Sequence, residues 1–289
     1  MTELTQDTKI LIVGLGVIGG SYAKALTDSG YRHVRCITKN SADIDYAIAH
    51  GMIELGTTET DAELIADSEL IIFALYPSVF VDWIEKNGHL FAVGTLITDV
   101  TGVKSGIVER VQAMLPQGVE FISAHPMAGR EKSGVEFSCA EVFRGANYIV
   151  VPTEKNTPCA IEICKQLGEK LGFAKISELS VSEHDEMIAF LSQLTHCIAV
   201  TLMTANDTEG LEKYTGDSFR DLTRIAKIND LMWSELFLQN RDALLAEMDA
   251  FAESFSAFRD MIARGDRDAM REQMRRAAAR RELFDKPTS

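Results

Sequence analysis

Short apolar runs alternate with longer amphipathic stretches through the first half of the chain. Lys9-Ile10-Leu11-Ile12-Val13 is nearly all apolar and stops at a glycine, the pattern of a strand buried on both faces of a parallel sheet. Comparable runs recur at residues 33–38, 70–75, 96–100, 120–124 and 147–151, with helix-like stretches such as 21–29 and 41–50 between them. Parallel neighbours need a crossover, so the alternation predicts an α/β doubly wound sheet. Pro152-Thr153-Glu154 opens a helical segment that runs to about Leu171, and Phe173 to Ile176 reads as one last strand.

The period changes after Leu179. Ser180-Val181-Ser182-Glu183 has the form of a capping box. Apolar residues then recur at helical spacing: Met187, Ile188, Leu191, Leu194, Ile198 and Leu202. From there to Arg281 almost everything reads as helix. Residues 236–261 are apolar on more than one face and suit a helical dimer core, whereas 263–281 read as a charged, solvated helix. The expected architecture is a Rossmann-type doubly wound domain over residues 1–178, followed by an all-α dimerisation domain over 179–289.

Composition narrows the function class. The 289-residue chain carries a net charge of −14, which argues against nucleic acid or an anionic membrane as the main partner. No uninterrupted apolar run reaches the ~18 residues of a membrane span, and the polar, acidic start lacks the features of a signal peptide. Five cysteines without a Cys-x-x-Cys pair read as reduced thiols of a cytoplasmic protein. An anionic small molecule remains a possible ligand, provided that cations are clustered locally.

Gly14-Leu15-Gly16-Val17-Ile18-Gly19 lies between the first strand and the first helix, the context that a dinucleotide-binding loop requires. Gly14 makes the turn, Gly16 lets the backbone approach a pyrophosphate, and Gly19 permits close helix–strand packing. Val17 and Ile18 open the helix whose amides face the phosphates. An NAD site usually ends its second strand in a carboxylate, but here the residues are Ile37-Thr38-Lys39-Asn40. Thr38 and Lys39 therefore leave room for a 2′-phosphate that Lys39 could pair with. The cofactor reads as NAD or NADP, with NADP the favoured form.

His125 ends an apolar run and precedes a proline, which favours an extended residue at a strand–loop junction. A histidine at the carboxyl end of a strand in such a sheet is placed to accept a proton from a bound hydroxyl. On position alone, a structural histidine bonded to backbone fits equally well.

Four blocks, together with Trp233 and Asn240, resemble the prephenate/arogenate (cyclohexadienyl) dehydrogenases of tyrosine biosynthesis. They are the glycine loop, Asp99-Val100-Thr101-Gly102-Val103-Lys104, the run from His125 to Gly134, and Gly216 to Ala226 with its Thr223-Arg224-Ile225-Ala226 core. The resemblance implies NAD(P)-dependent oxidative decarboxylation of prephenate, or of arogenate. It makes His125 the catalytic proton acceptor, places Glu131 in the same loop, and gives Arg224 to a substrate carboxylate. Arg220 is a second cation at i, i+4 spacing, His196 matches a family histidine, and Trp233 would wall the pocket. Where the family commonly has Ser-Val-Lys, this chain has Gly102-Val103-Lys104, with Thr101 the nearest substitute hydroxyl. Gln193 replaces a second histidine on the substrate side. Two other readings stay open. A β-hydroxyacid dehydrogenase would need a catalytic lysine, for which Lys227 is the local choice, and a non-catalytic cofactor-binding regulator is suggested by Gly102.

Overall fold

The computed structural model describes residues 3–129 and 132–285. Six strands, β1 (Ile10–Val13), β2 (Val34–Ile37), β3 (Leu55–Thr57), β4 (Leu70–Phe73), β5 (Leu96–Asp99) and β6 (Glu120–Phe121), pair in the order β3-β2-β1-β4-β5-β6, all parallel. Between them run α1 (Val17–Asp28), α2 (Ser41–Ala49), α3 (Ala62–Ala66), α4 (Pro77–Asn87) and α5 (Val108–Met114). Strand order reverses between β1 and β4, so a crevice opens at their carboxyl ends, directly above the glycine loop. Because side chains alternate along a strand, Ile10 and Ile12 join Tyr22 and Leu26 in one core, while Leu11 and Val13 join Phe73, Phe80 and Phe121 in another.

Residues 120–124, expected as one strand, are divided between two sheets. The chain leaves the parallel sheet at Ile122, and β7 (Ser123–Pro126) enters a second sheet with β8 (Asn147–Val151) and β9 (Lys175–Glu178). β7 pairs antiparallel with β8, placing His125 opposite Ile149, and β8 pairs parallel with β9. Asp99 joins the sheets: its Oδ1 accepts from Ser123 Oγ at 2.6 Å and from Ala124 N at 3.1 Å. The 147–151 run therefore belongs to this mixed sheet and not to the doubly wound one. The helix expected from residue 152 begins later, as α6 (Pro158–Leu171), where Thr157 caps Ala160 N and Pro158 occupies the first turn.

The capping box forms as read. Ser180 Oγ accepts from Glu183 N, and the Glu183 carboxylate accepts from Ser180 N at 2.8 Å. It opens α7 (Val181–Ile188), which continues through a π-helical turn (Ala189–Leu194) into α8 (Thr195–Thr204). This run is long and apolar enough to cross a membrane, yet His184, Asp185 and Gln193 on it are buried in hydrogen bonds within the protein. Then come α9 (Asp217–Thr223), a 3-10 turn at Arg224–Ala226 and α10 (Asp230–Gln239).

By compactness the chain divides at Arg241/Asp242, well beyond the change of period at residue 179, so that α7 to α10 lie in the same unit as the sheets. The second unit holds nearly all of α11 (Arg241–Arg264) and α12 (Arg267–Glu282). The expected helix over 263–281 is broken at Gly265, whose φ is +66°, and Asp266 recaps the chain by accepting from Ala269 N.

Candidate active site

At the glycine loop each glycine has its own steric reason. Gly14 has φ +96°, and a Cβ there would meet Ala74 O at 2.5 Å. A Cβ on Gly19 would lie 2.0 Å from Gly14 O. Gly16 is the exception, because a Cβ there would meet nothing within 4 Å. Its missing side chain leaves open space at the amino end of α1, where no side chain caps the helix. The Val17, Ile18 and Gly19 amides open this helix, so the cradle fits a pyrophosphate in shape and polarity. At the end of β2, Thr38 N bonds Thr57 O, Lys39 is exposed, and Asn40 turns away to cap α2 and hold Asp43. No carboxylate belongs to Ile37-Thr38-Lys39-Asn40.

On the neighbouring strand ends lies a buried charged cluster. Lys104 is fully buried and its Nζ has three acceptors: Ala124 O at 2.7 Å, Asp99 Oδ2 at 2.9 Å and Thr101 Oγ1 at 3.3 Å. Burial pulls the ammonium below its ordinary pKa, and the Asp99 carboxylate opposes that shift. The Thr101 hydroxyl donates to Asp99 Oδ2. This corrects the sequence expectation: Thr101 is committed to the Asp99–Lys104 pair and does not replace a serine beside His125. The position that can hold such a group is Gly102, where a Cβ would stand 3.9 Å from His125 Cε1.

His125, on β7 one residue beyond Ala124, is half-buried, and its Nδ1 lies 2.9 Å from Nε2 of the fully buried His184. His184 Nδ1 in turn lies 2.7 Å from Asp185 Oδ1. Asp185 also accepts from Lys104 N at 2.9 Å and Ser105 N at 2.7 Å, which locks α7 onto the loop after β5. Burial, followed by the proximity of His184 and Lys104, pushes His125 well below its ordinary pKa. Burial also lowers His184, against the pull of Asp185. Burial alone would raise the Asp185 carboxyl, but the hydrogen bonds from His184 and Ser105 outweigh it and hold the group below its usual range.

Gln193 is a second correction. It is buried, donates to Leu236 O at 2.9 Å and accepts from Asn240 Nδ2 at 2.8 Å, while Asn240 also bonds Asp185 O. Both ends of its buried amide tie α10 to the α7–α8 run, a structural use in place of the expected contact with substrate. His196 stacks on Trp233 with ring centroids 3.7 Å apart, and its Nδ1 is 2.7 Å from Ser192 O. Arg224 is exposed and opens the 3-10 turn after α9, which packs against α8. The helix stops at Thr223, so Arg220 and Arg224 are not two steps of one continuous helix. Arg220 pairs with Asp217 at 3.0 Å and bonds Thr215 O. Glu131 lies outside the described residues.

His184 and Asp185 are the members that the sequence does not single out, and the pairing of Asp99 with Lys104 inside their shared block is likewise seen only in the structure. One signal was available: His184 shares the stripe of Ile188 at i, i+4, and a polar residue on a buried face needs a partner.

Two family models match the chain: the nucleotide-binding domain of prephenate dehydrogenase over residues 22–177, and the prephenate dehydrogenase dimerization domain over 180–276. The prephenate dehydrogenase of Bacillus subtilis is 30% identical over 273 residues, covering 90% of this chain and 71% of that protein. The cyclohexadienyl dehydrogenase of Zymomonas mobilis is 27% identical, covering 94% of each. The crystal structure of Aquifex aeolicus prephenate dehydrogenase with hydroxyphenyl propionate and NAD+ superimposes with a TM-score of 0.88 at 29% identity, over 98% of this chain and 99% of that one.

Proposed function

The chain belongs to the prephenate dehydrogenase family, and from that premise we propose that it oxidatively decarboxylates prephenate to 4-hydroxyphenylpyruvate, with His125 as the proton acceptor. The observation that carries the reading is the placement of His125. It is a half-buried imidazole with a depressed pKa on β7 of the second sheet, beside Gly102 in the loop after β5 of the parallel sheet whose first loop is shaped for a dinucleotide.

The Gly14–Gly19 cradle and the α1 amides would hold the cofactor pyrophosphate, with Thr38 and Lys39 at the ribose end. A bound nicotinamide supplies the hydride acceptor. His125 Nδ1 is committed to His184, so Nε2 is the nitrogen that takes the ring hydroxyl proton as hydride leaves the same carbon. Loss of carbon dioxide leaves its electron pair in the ring, which becomes aromatic. His125 then returns the proton to the phenolate oxygen, so protons balance over the cycle. Aromatisation drives the reaction, and orientation is the main task left to the protein. Arg224 is assigned to a substrate carboxylate, with His196 and Trp233 forming a wall beside its turn.

With no carboxylate at the end of β2, NADP is accepted alongside NAD, and Lys39 is the residue that would discriminate. Arogenate, which replaces the side-chain keto group with an amine, is the alternative substrate. Leu231 and Leu238 are about three-quarters exposed on α10, and Phe190, Leu191 and Met203 are exposed on the α7–α8 run. These apolar faces, in the region matched by a dimerization model, support a homodimer.

The test is cofactor reduction with prephenate and with arogenate, each with NAD and NADP, for wild type, His125→Asn and Arg224→Ala. Expected are turnover on one substrate, at least a ~10²-fold loss of kcat in His125→Asn, and a raised KM in Arg224→Ala. Full activity in His125→Asn would refute the assignment.

A further inference from the structure

The chain Asp185–His184–His125 has a direction that the distances determine. Asp185 accepts hydrogen bonds from two backbone amides, Lys104 N and Ser105 N, so it sits in a surrounding that favours the ionised, acceptor-only carboxylate. The nitrogen facing it at 2.7 Å, His184 Nδ1, must then carry the hydrogen. In a neutral imidazole this leaves His184 Nε2 with a lone pair. Across the 2.9 Å contact, His125 Nδ1 has to be the donor, and its own lone pair is left on Nε2. Each step follows from the one before, beginning at two fixed amides in the loop after β5.

We propose that His184 and Asp185 are positioning residues that fix His125 in the tautomer with hydrogen on Nδ1, so that Nε2 is the proton-accepting atom. The inference rests on the reading of His125 as the acceptor and adds what sets that acceptor. Without a partner, His125 would divide between its two tautomers and rotate about its side-chain bonds. In the folded chain both freedoms are removed by groups that never touch the substrate.

Three features of the surroundings support the assignment. Burial disfavours a positive charge on His125, and the buried Lys104 ammonium, bonded to Ala124 O next to it, adds to that effect, in keeping with a neutral His125. Asp99 is occupied by Lys104, Thr101, Ser123 and Ala124, and has no bond to either imidazole. The π-helical turn at Ala189–Leu194 follows directly after α7, and Asn240 clamps Asp185 O to Gln193 across it. Local π geometry of this kind commonly accompanies a functional constraint on a helix. A helix serving only as packing would not need a histidine–aspartate pair at its buried start.

The experiment uses the full-length chain with 15N-labelled histidine. Nitrogen chemical shifts report which ring atom of His125 carries hydrogen, with His125→Asn supplying the resonance assignment. His184→Leu removes the acceptor while filling similar space. His184→Gln places a carbonyl oxygen where Nε2 stood. In the wild type, His125 is expected with hydrogen on Nδ1 above pH ~7. His184→Leu should show mixed tautomers and lose about 10- to 100-fold in kcat with little change in KM. His184→Gln should restore the Nδ1–H form and most of kcat.

A wild-type His125 with hydrogen on Nε2 overturns the proposal outright, whether or not either variant folds. Equal losses in the Leu and Gln variants with an undisturbed His125 tautomer would also overturn it, leaving a structural role. If His125→Asn is itself fully active, the underlying reading of His125 has failed instead, and the nitrogen shifts still report the tautomer independently.

Discussion

Gly102 stands where the family commonly carries serine, and the structure determines what restoring the side chain should do. A Cβ at Gly102 would meet the two Leu236 methyl carbons at 3.6 Å and His125 Cε1 at 3.9 Å, all ordinary van der Waals distances. Its φ lies outside the left-handed region, so an L-residue is not strained there. Gly102→Ala should therefore fold normally and gain about 0.4–1 kcal/mol by reducing the freedom of the unfolded chain. For a chain of this size that corresponds to a rise of roughly 1–2 °C in Tm. Gly102→Ser adds a hydroxyl one bond beyond a carbon already beside the imidazole. A net hydrogen bond is worth about 0.5–1.5 kcal/mol, which at about 1.4 kcal/mol per tenfold is roughly a 2- to 12-fold gain. The comparison that isolates the hydroxyl is serine against alanine, read as kcat/KM for cofactor reduction with prephenate and as Tm by thermal melting. The expected order is serine above alanine by that factor, with alanine within about twofold of the wild type. If both variants are well folded and serine is no faster than alanine, a hydroxyl at this position does not reach the reacting group. If alanine alone loses about tenfold or more, the substrate occupies the space above Gly102, and the steric argument is wrong.

Two further expectations concern the supports of the site. Lys104→Met leaves the fully buried Asp99 carboxylate without its cation, a change that costs about 3–5 kcal/mol and lowers Tm by roughly 5–8 °C. Thermal melts test it, with recovery expected in Lys104→Met/Asp99→Asn; a shift under about 2 °C would mean that the pair contributes little. The second expectation concerns pH. His184 has a folded pKa below its unfolded value of about 6.5, so the unfolded chain binds the extra proton more readily. Its stabilising contribution is complete above about pH 7.5 and is lost as pH falls through 6.5 towards the folded value, at up to about 1.4 kcal/mol per pH unit. Urea titrations across that window should show a shallower slope in His184→Gln, and an unchanged slope would place the titration elsewhere.

The parallel sheet was legible because its strands are buried on both faces and so read as unbroken apolar runs ending at turn residues. β3 was not, because Leu55-Gly56-Thr57 is short, half-exposed at its sheet edge and interrupted by glycine. Residues 120–124 were misread for a different reason. Both halves of the run are apolar and extended, so no local pattern distinguishes β6 from β7, and the division is made by Asp99 bonding Ser123 and Ala124 from another strand. Periodicity reports burial; it does not report which sheet buries a residue.

The same distinction separates the parts of the site. The glycine loop could be read from sequence because its constraint is steric and local: Gly14 and Gly19 meet atoms of the loop itself or of the adjoining strand. Thr101 and Gln193 were assigned to the wrong partners because a polar side chain can satisfy its hydrogen bonds in several directions. Thr101 lies two residues from the carboxylate it bonds, and Gln193 faces an asparagine 47 positions away. His184 was passed over because a histidine in an amphipathic helix does not by itself announce its partner, and its link to His125 spans 59 residues. What identifies it is a count of donors and acceptors around one carboxylate. Asp185 takes two backbone amides and one imidazole, and with those bonds placed, the orientation of the other imidazole follows. The hydrogen-bond direction from the loop after β5 through α7 to His125 is therefore a property of the assembled site. That direction depends on backbone amides of the loop after β5 and on side chains of β7 and α7, which only the folded chain brings together.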